Sequence, residues 1–316
     1  MADYVISLEA PAPTSLATKR ECDWQAALAP LGVQTLMTPD LCAHAQPTKR
    51  WRARLAQLLT GVTTNDLVAI HWPQSAYDDD GLSDLFAAIH DRQARVVMII
   101  HEQPTGASDF LAQIDGCLCS TKAQAEQLGL RGVPAAFYGP GTYSGSYFKA
   151  RRKRGRGIDV YNMPEVLPTE AQLSALAQQQ PVHVVTVDDQ TNVPASTVHP
   201  WSRVAGYSAE AVMQLLPGSF GLIWAPDAVA FPLALASQLA ANQPLIVPVN
   251  SAFASFVADN ELGLVVSDFT ALADQIAAVD DAQYKHMAMQ CERISGLLRS
   301  GYYAQRAWLS LQGAML

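Results

Sequence analysis

Two histidines end apolar runs of the sequence, in positions from which a side chain can take part in acid–base chemistry. His71 ends the run Asp66–His71, and His101 ends the run Arg95–His101 and is followed by Glu102. If these runs are parallel strands, their carboxyl ends lie at the edge of a sheet where α/β proteins bind ligands. An imidazole or a carboxylate there can bind or deprotonate the hydroxyl group of a ligand. His101 and Glu102 are therefore the catalytic candidates.

Both histidines also have a purely structural interpretation. A histidine at a strand end often forms only a hydrogen bond with the backbone, and for His101 the sequence favours neither interpretation. Trp72 follows His71 and can stack on the ring of a ligand, although a tryptophan in such a place more often packs between elements. His71 and Trp72 are therefore further candidates for a ligand site.

A second candidate region lies in the later half of the chain, between Gly218 and Val266. This stretch has the order β-α-β-α-β, which predicts a doubly wound unit. Its first strand, Gly218–Trp224, is followed by an irregular stretch, Ala225–Ala230, and then by an apolar helix, Phe231–Ala241. The N-terminus of a helix offers free N–H groups and a partial positive charge to anions. We expect an anionic ligand at this point.

Composition limits the classes of function that remain. A chain of 316 residues that is 49% apolar is long enough for two domains, and a net charge of −8 argues against nucleic-acid binding. The five cysteines show no disulfide pattern, and Cys117 and Cys119 fit two buried thiols better than a metal site. The seven histidines are not at ligand spacing, so no metal centre and no cofactor are expected. With no signal peptide before the first strand and no membrane-spanning run, the expected location is cytoplasmic.

The order of the elements predicts two α/β domains with a boundary between Gly139 and Gly157. The domains are expected at residues 1–150 and 151–300, and a last helix, within residues 301–316, is expected to cross back to the first domain. The boundary contains the basic run Arg151–Arg154, for which a solvated linker is favoured over an anion or membrane contact.

Several segments then resemble a bacterial glycosyltransferase family. The family includes the glucosyltransferases of serine-rich-repeat adhesins and related galactofuranosyltransferase-like proteins. The resemblance is specific after Gly218 and looser in the first domain. The similar segments are Gly218–Trp224, Leu239–Val247, Phe256–Val266, Ile294–Tyr303, Asn65–Pro73 and Arg95–Glu102.

The resemblance implies a fold, a reaction and a set of site residues. The fold is the α/β architecture called GT-B, in which two doubly wound Rossmann-like domains face each other across a cleft. The reaction is transfer of a hexose from a UDP-sugar to a glycan or glycoprotein acceptor without a metal ion, by a dimer or tetramer. The residues implied in nucleotide-sugar binding are Asn162, Asp188, Gly218, Ser219, Phe231 and Ala234. Those implied on the acceptor side are Thr14, Ser15, His71 and Trp72.

The chain also departs from the family where active members handle the phosphates. Ala234 stands where a lysine is expected, and Glu165 stands near the place of a second cation. The first loop, Glu9–Thr14, lacks the glycines and serines of active members. Weak nucleotide binding is therefore expected, and two hypotheses remain. One is an active glycosyltransferase, and the other is a catalytically degenerate subunit with a binding or scaffolding role in a glycosylation complex.

Overall fold

The chain divides into two compact units in a computed structural model that describes residues 2–8, 16–38, 48–72, 79–101, 111–145, 157–161, 166–186, 202–205 and 219–316. Unit 1 contains Met1–Ala12, Glu21–Gly141 and Gly301–Leu316. Unit 2 contains Pro13–Arg20 and Thr142–Ser300.

Unit 1 is built on a six-stranded parallel sheet with the order β2-β1-β3-β4-β5-β6. The strands are β1 (Asp3–Leu8), β2 (Gln34–Thr38), β3 (Leu67–Trp72), β4 (Arg95–Ile100), β5 (Gly116–Cys119) and β6 (Ala135–Phe137). The helices between them are α1 (Leu16–Leu28), α2 (Thr48–Leu58), α3 (Asp79–His90) and α4 (Lys122–Gly129), and a 3-10 turn, Ala29–Leu31, follows α1.

The strands of unit 1 are continuous apolar runs because both faces of the sheet are buried. In β3, Val68 and Ile70 belong to the core on the side of α2 and α3, whereas Leu67 and Ala69 belong to the core on the side of α1. This alternation follows from the pleat of a strand. The next residue on the α1 side is His71, so its side chain lies on a buried face of the sheet.

Unit 2 repeats the design with the sheet order β12-β11-β10-β7-β8-β9, again with parallel pairing. The strands are β7 (Ile158–Tyr161), β8 (Val182–Thr186), β9 (Ser202–Ala205), β10 (Phe220–Leu222), β11 (Leu245–Pro248) and β12 (Gly263–Val266). The helices are α5 (Glu170–Ala177), α6 (Leu233–Ala240), α7 (Ala254–Asp259), α8 (Leu272–Ala278, preceded by a 3-10 turn, Phe269–Ala271) and α9 (Asp281–Arg299).

The last helix, α10 (Tyr302–Met315), packs within unit 1. Its residues Trp308 and Leu311 are buried in the same core as Trp24 of α1. The indole Nε1–H of Trp308 donates a hydrogen bond to Asp3 Oδ2 over 3.0 Å, and Gln312 Nε2 donates to the same oxygen over 2.5 Å. Burial raises the pKa of Asp3, and the hydrogen bond from Trp308 offsets only part of this increase. The start of the first strand and the last helix are thus joined by a partly buried polar contact.

Two details differ from the sequence-based expectation. The helix expected from Phe231 begins at Leu233, because Pro232 takes the extended conformation of a residue that precedes a helix. Strand β9, Ser202–Ala205, was not predicted from the sequence, because it does not form a continuous apolar run. Within the described residues, no helix is both long and apolar enough to span a membrane.

Candidate functional site

The expected anion site lies where the chain leaves β10 and enters α6. Backbone hydrogen bonds hold the connecting loop at both ends, from Ile223 N–H to Ile246 O and from Ala252 N–H to Ala228 O. The ring of Phe231 then packs at a steep angle against Phe256, with 5.4 Å between ring centroids. These contacts fix the direction from which α6 begins.

Helix α6 itself, Leu233–Ala240, contains no lysine or arginine that could serve as a cation at its first turn. Pro232 precedes the helix, and no side chain caps the first turn. The dipole of the helix adds about half a positive charge at this end. Ala234, however, is fully buried, so its methyl group packs in the core. Ser219 is buried as well, and its carbonyl accepts a hydrogen bond from the Tyr284 hydroxyl over 2.9 Å.

The other end of α6 is held by two side chains of α9. Arg299 Nη2 donates to the carbonyl of Ala240 over 2.7 Å, and Ser295 Oγ donates to the same carbonyl over 3.2 Å. Arg299 Nη1 also donates to Gly145 O over 3.2 Å. A cation at the carboxyl end of a helix stabilises that helix through its dipole. This explains why an arginine stands in the segment Ile294–Tyr303, a role that the sequence reading did not assign.

The contact between α6 and β10 contains a buried amide that the fold leaves unsatisfied. The side chain of Gln238 lies flat on Gly221, where an added Cβ would come within 2.4 Å of Gln238 Cδ. Gln238 is fully buried, and among the described residues neither its Oε1 nor its Nε2 has a hydrogen-bond partner.

We expect Gln238→Met to stabilise the protein, because methionine keeps the shape of the side chain and removes the unsatisfied amide. Leaving such a group buried costs about 1–3 kcal/mol, so the free energy of unfolding should increase by a similar amount in urea titration. Gln243→Met is the matched control. Its Nε2 donates to Asp159 Oδ2 over 2.5 Å, so the same substitution there should destabilise. Equal effects of both variants would contradict this account.

In unit 1, the two strand-end histidines contact each other. His71 Nδ1 lies 2.8 Å from His101 Nε2, and His101 Nδ1 lies 2.8 Å from the hydroxyl of Tyr138. The Tyr138 hydroxyl in turn donates to Ile100 O over 2.9 Å. All three side chains are buried and touch the ring of Trp24 edge-on, at centroid distances of 5.0–6.4 Å. The structure thus brings His71 and His101, which the sequence analysis identified, into contact with Trp24 and Tyr138, which it did not identify.

Trp72 takes the opposite face of the sheet from His71. It is half-buried and packs against the apolar core on the side of α2 and α3. This placement corresponds to the packing interpretation, although its remaining exposed surface lies at the end of β3.

The other candidate residues fall outside the described part of the chain. They are Thr14, Ser15, Glu102, Asn162, Asp188 and Gly218. The side chain of Arg203 and the basic run Arg151–Arg154 also lie outside it.

The buried cysteines show no features of a reactive site. Cys119 Sγ lies 3.8 Å from Cys117 Sγ, and this contact together with burial raises the pKa of Cys119 far above its ordinary value. Burial alone raises the pKa of Cys291. The thiols of Cys119 and Cys291 therefore stay protonated and unreactive at neutral pH. Across the described ranges, His, Cys, Asp and Glu do not form a group of three that could hold a metal ion.

Comparison with known proteins agrees with the family resemblance. Residues 167–311 match the family model described as Glucosyltransferase 3-like, C-terminal domain. Glucosyltransferase 3 of Streptococcus parasanguinis is 26% identical over 103 residues, which are 31% of this chain and 31% of that protein. This match therefore spans about a third of the relative's length. Together the two matches confirm the resemblance inferred from the sequence.

Solved structures extend the likeness to the whole chain. Anabaena HepE in complex with UDP-glucose has a TM-score of 0.63 at 10% identity, with 98% of this chain and 99% of that chain covered. A glycosyltransferase from Rickettsia africae has a TM-score of 0.64 at 10% identity, with 99% and 98% covered. Sucrose-phosphate synthase from Thermosynechococcus elongatus has a TM-score of 0.57 at 11% identity, with 99% and 100% covered. At such identities the likeness shows the fold, and the predicted GT-B class is confirmed.

Proposed function

We infer that this chain, which carries a glucosyltransferase 3-like C-terminal domain and has the GT-B fold, is a glycosyltransferase. We propose that it transfers a hexose from a UDP-sugar to a glycan or glycoprotein acceptor. The observation that carries the proposal is the family match over residues 167–311, which contains β10, α6 and the segments on either side. The solved HepE structures contain UDP-glucose, and UDP with glucose, which supports the same class of donor here.

In this proposal, the donor binds to unit 2, and Thr14, Ser15, His71 and Trp72 contribute to acceptor binding. The pyrophosphate lies at the N-terminus of α6, where the helix dipole and the first-turn N–H groups favour an anion. His101 and Glu102 act on the acceptor hydroxyl, and no metal ion is required. The cytoplasmic location, the oligomer and the domain limits at 150 and 300 remain predictions.

A second candidate function is a degenerate subunit that binds or scaffolds in a glycosylation complex. Ala234 favours it, since the position that the family resemblance assigns to a lysine holds a buried methyl group. The loss of one charge-assisted hydrogen bond weakens binding by roughly 1.5–3 kcal/mol, or about 10- to 100-fold. The burial of Ala234 also affects the substitution that would restore the lysine. Ala234→Lys would place a long cationic side chain in a fully buried position, so a loss of stability is expected along with any gain in affinity.

Calorimetric titration of the full chain with UDP, UDP-glucose and uridine tests the transferase proposal. We expect UDP and UDP-glucose to bind with a Kd above the low micromolar range, and uridine to bind much more weakly because it lacks the phosphates that α6 attracts. EDTA should leave these affinities unchanged. ADP is the control for recognition of the base.

The titrations are paired with an assay of UDP release from UDP-glucose. Binding followed by UDP release supports the enzyme. Absence of both binding and UDP release for every UDP-sugar tried would overturn the transferase proposal and favour the subunit. Low-micromolar binding of UDP would show that the absence of a lysine at position 234 does not limit affinity.

A further inference from the structure

We propose that the free edge of strand β6 is a docking site for an extended acidic peptide segment of a partner protein, which adds to the sheet of unit 1 as a further strand. The site consists of the edge of β6 and of the two helices beside it, α4 and α10. All three elements belong to unit 1, so the use of this surface does not depend on the proposed transferase function.

Strand β6 has one row of backbone groups without a neighbouring strand. It is the last strand in the sheet order of unit 1, and within the described residues only β5 pairs with it. Tyr138 N–H, directly after β6, donates to Cys119 O of β5 over 2.8 Å. Because successive residues of a strand alternate in direction, Ala135 and Phe137 direct their N–H and C=O groups away from β5. An added strand can form hydrogen bonds with these groups.

The free edge lies in a groove between two helices that cover opposite faces of the sheet. Leu128 of α4 belongs to the core on the side of α2 and α3, whereas Trp308 of α10 belongs to the core on the side of α1. The cavity between α4, β6 and α10 has a volume of about 410 Å³, and ligand sites measure about 300–1,000 Å³. The polar side chains that line it are Lys122, Glu126, Arg306 and Ser310.

Arg306 gives the groove a cation that is held in place by aromatic rings. Its guanidinium carbon lies 5.2 Å from the centre of the Phe137 ring and 5.7 Å from the centre of the Tyr302 ring, and both distances fit cation–π contacts. In the described part of the chain, Arg306 forms no hydrogen bond and no ion pair. Its N–H groups can therefore bind a carboxylate through two parallel hydrogen bonds.

The remaining charges of the groove favour the same kind of partner. Lys122 Nζ lies 3.5 Å from Glu126 Oε1, but the two side chains are 75% and 65% exposed, so this ion pair contributes little. With Arg306, the described lining carries a net positive charge. Since neighbouring residues of a strand point to opposite faces, two consecutive acidic residues can reach Arg306 on the α10 side and Lys122 on the α4 side.

NMR titration of the nitrogen-15-labelled full chain with the end-blocked hexapeptide Thr-Val-Asp-Glu-Val-Thr tests the docking site. We expect the amide signals of Ala135 and Phe137 to shift and their hydrogen exchange to slow, because both N–H groups point to the added strand. The same peptide with Lys-Lys in place of Asp-Glu should bind about 10-fold more weakly or less, since the charge-assisted hydrogen bonds are lost. Unchanged signals at millimolar acidic peptide would overturn the proposal. The basic residues would then serve only to keep other strands away from a short edge.

Two variants separate strand addition from simple attraction of charge. Ala135→Pro removes an N–H that points away from β5, so the ladder should remain while peptide binding is lost. Arg306→Gln leaves the backbone unchanged and should weaken binding about 10-fold. Arg52→Gln is the matched control, because Arg52 is an exposed arginine of α2, on the opposite face of the sheet from α10. It should leave the affinity unchanged.

The variants also define the results that contradict strand addition. Circular dichroism verifies that each variant is folded. Unchanged affinity in folded Ala135→Pro, or equal losses in Arg306→Gln and Arg52→Gln, would overturn the proposal. Light scattering tests for the other possible occupant of the edge. A dimer that is lost in Ala135→Pro and that the acidic peptide does not dissociate would assign the edge to a second copy of this chain and would likewise overturn the proposal.

Discussion

Replacing Gly263 with alanine is expected to destabilise unit 2 by about 3 kcal/mol or more, because a methyl group has no room at the start of β12. Gly263 has a φ of +158°, and a Cβ there would lie 1.9 Å from the carbonyl oxygen and 2.6 Å from the nitrogen of Leu245. Both atoms belong to the backbone of the neighbouring strand β11, which pairs Leu245 with Gly263. The clash can be relieved only by separating two strands of the sheet.

Gly296→Ala is the matched control, with an expected change of opposite sign. Gly296 lies inside α9, and a Cβ there would meet nothing within 4 Å apart from the backbone of its own helix. Alanine is favoured over glycine in a helix interior by about 0.8–1.0 kcal/mol. Urea titrations of both variants should therefore move the midpoint down for Gly263→Ala and up for Gly296→Ala. Similar midpoints for the two variants would mean that the backbone contact at Gly263 relaxes without cost.

A second large loss of stability is expected for Asp66→Asn. Asp66 is buried before β3, and its carboxylate accepts from Ala2 N–H over 2.6 Å, from Thr63 N–H over 2.8 Å and from the Thr63 hydroxyl over 2.9 Å. An asparagine amide has one acceptor oxygen, and its NH₂ group would face a backbone N–H. Hydrogen bonds to a charged acceptor contribute about 1.5–3 kcal/mol, and a buried unsatisfied donor costs about 1–3 kcal/mol. The expected loss is roughly 2–4 kcal/mol.

The pH dependence gives this prediction a second test. Burial raises the pKa of Asp66, but the hydrogen bonds from Ala2 and Thr63 outweigh it, and the pKa is below its ordinary value. A depressed pKa stabilises the fold above the unfolded pKa of an aspartate, about 3.9. The stabilisation is lost as the pH falls through the lower, folded value. The difference in urea midpoint between the unmodified protein and Asp66→Asn should therefore be constant near neutral pH and shrink below about pH 4.

Asp268→Asn provides the control for this pH series. The pKa of Asp268 is also lowered, by hydrogen bonds from the Thr270 hydroxyl and N–H, but the carboxylate is exposed. Its substitution should shift the midpoint much less. A pH-independent difference for Asp66→Asn would show that the side chain of Asp66 stabilises the fold through its shape and not through its charge.

Most strand positions and the parallel direction of the strands could be predicted from the sequence, because buried parallel strands are continuous apolar runs. The runs ending at His71 and His101 form the adjacent strands β3 and β4, paired from Leu67 with Arg95 to Trp72 with Ile100. The placement of both histidines at the carboxyl end of the sheet follows from that pattern alone. The GT-B class required the family resemblance in addition, since two α/β units are compatible with several architectures.

The partners of the histidines could not be predicted in the same way. Trp24 and Tyr138 are 47 and 37 residues away from His71 and His101 respectively, and no periodic pattern links them. Only the packing of α1 and the segment after β6 brings their rings together. The burial of Ala234 could not be predicted either, because a residue in the first turn of a helix can face either solvent or core. A helical wheel shows which residues share a face of the helix, but it does not show which face another element will cover.

The placement of α10 has a consequence for how the protein is made. Unit 1 needs Trp308 and Leu311 to cover the side of its sheet that carries Val5, Ala69 and Val97, yet these residues are translated after all of unit 2. While the ribosome synthesises residues 142–300, that apolar side lacks its final cover. Domains that form during synthesis usually fold in order from the N-terminus, and exposed apolar surface in such intermediates promotes aggregation. Because the chain of unit 1 is completed only after unit 2 has been synthesised, we expect this surface to be the most aggregation-prone part of the nascent chain.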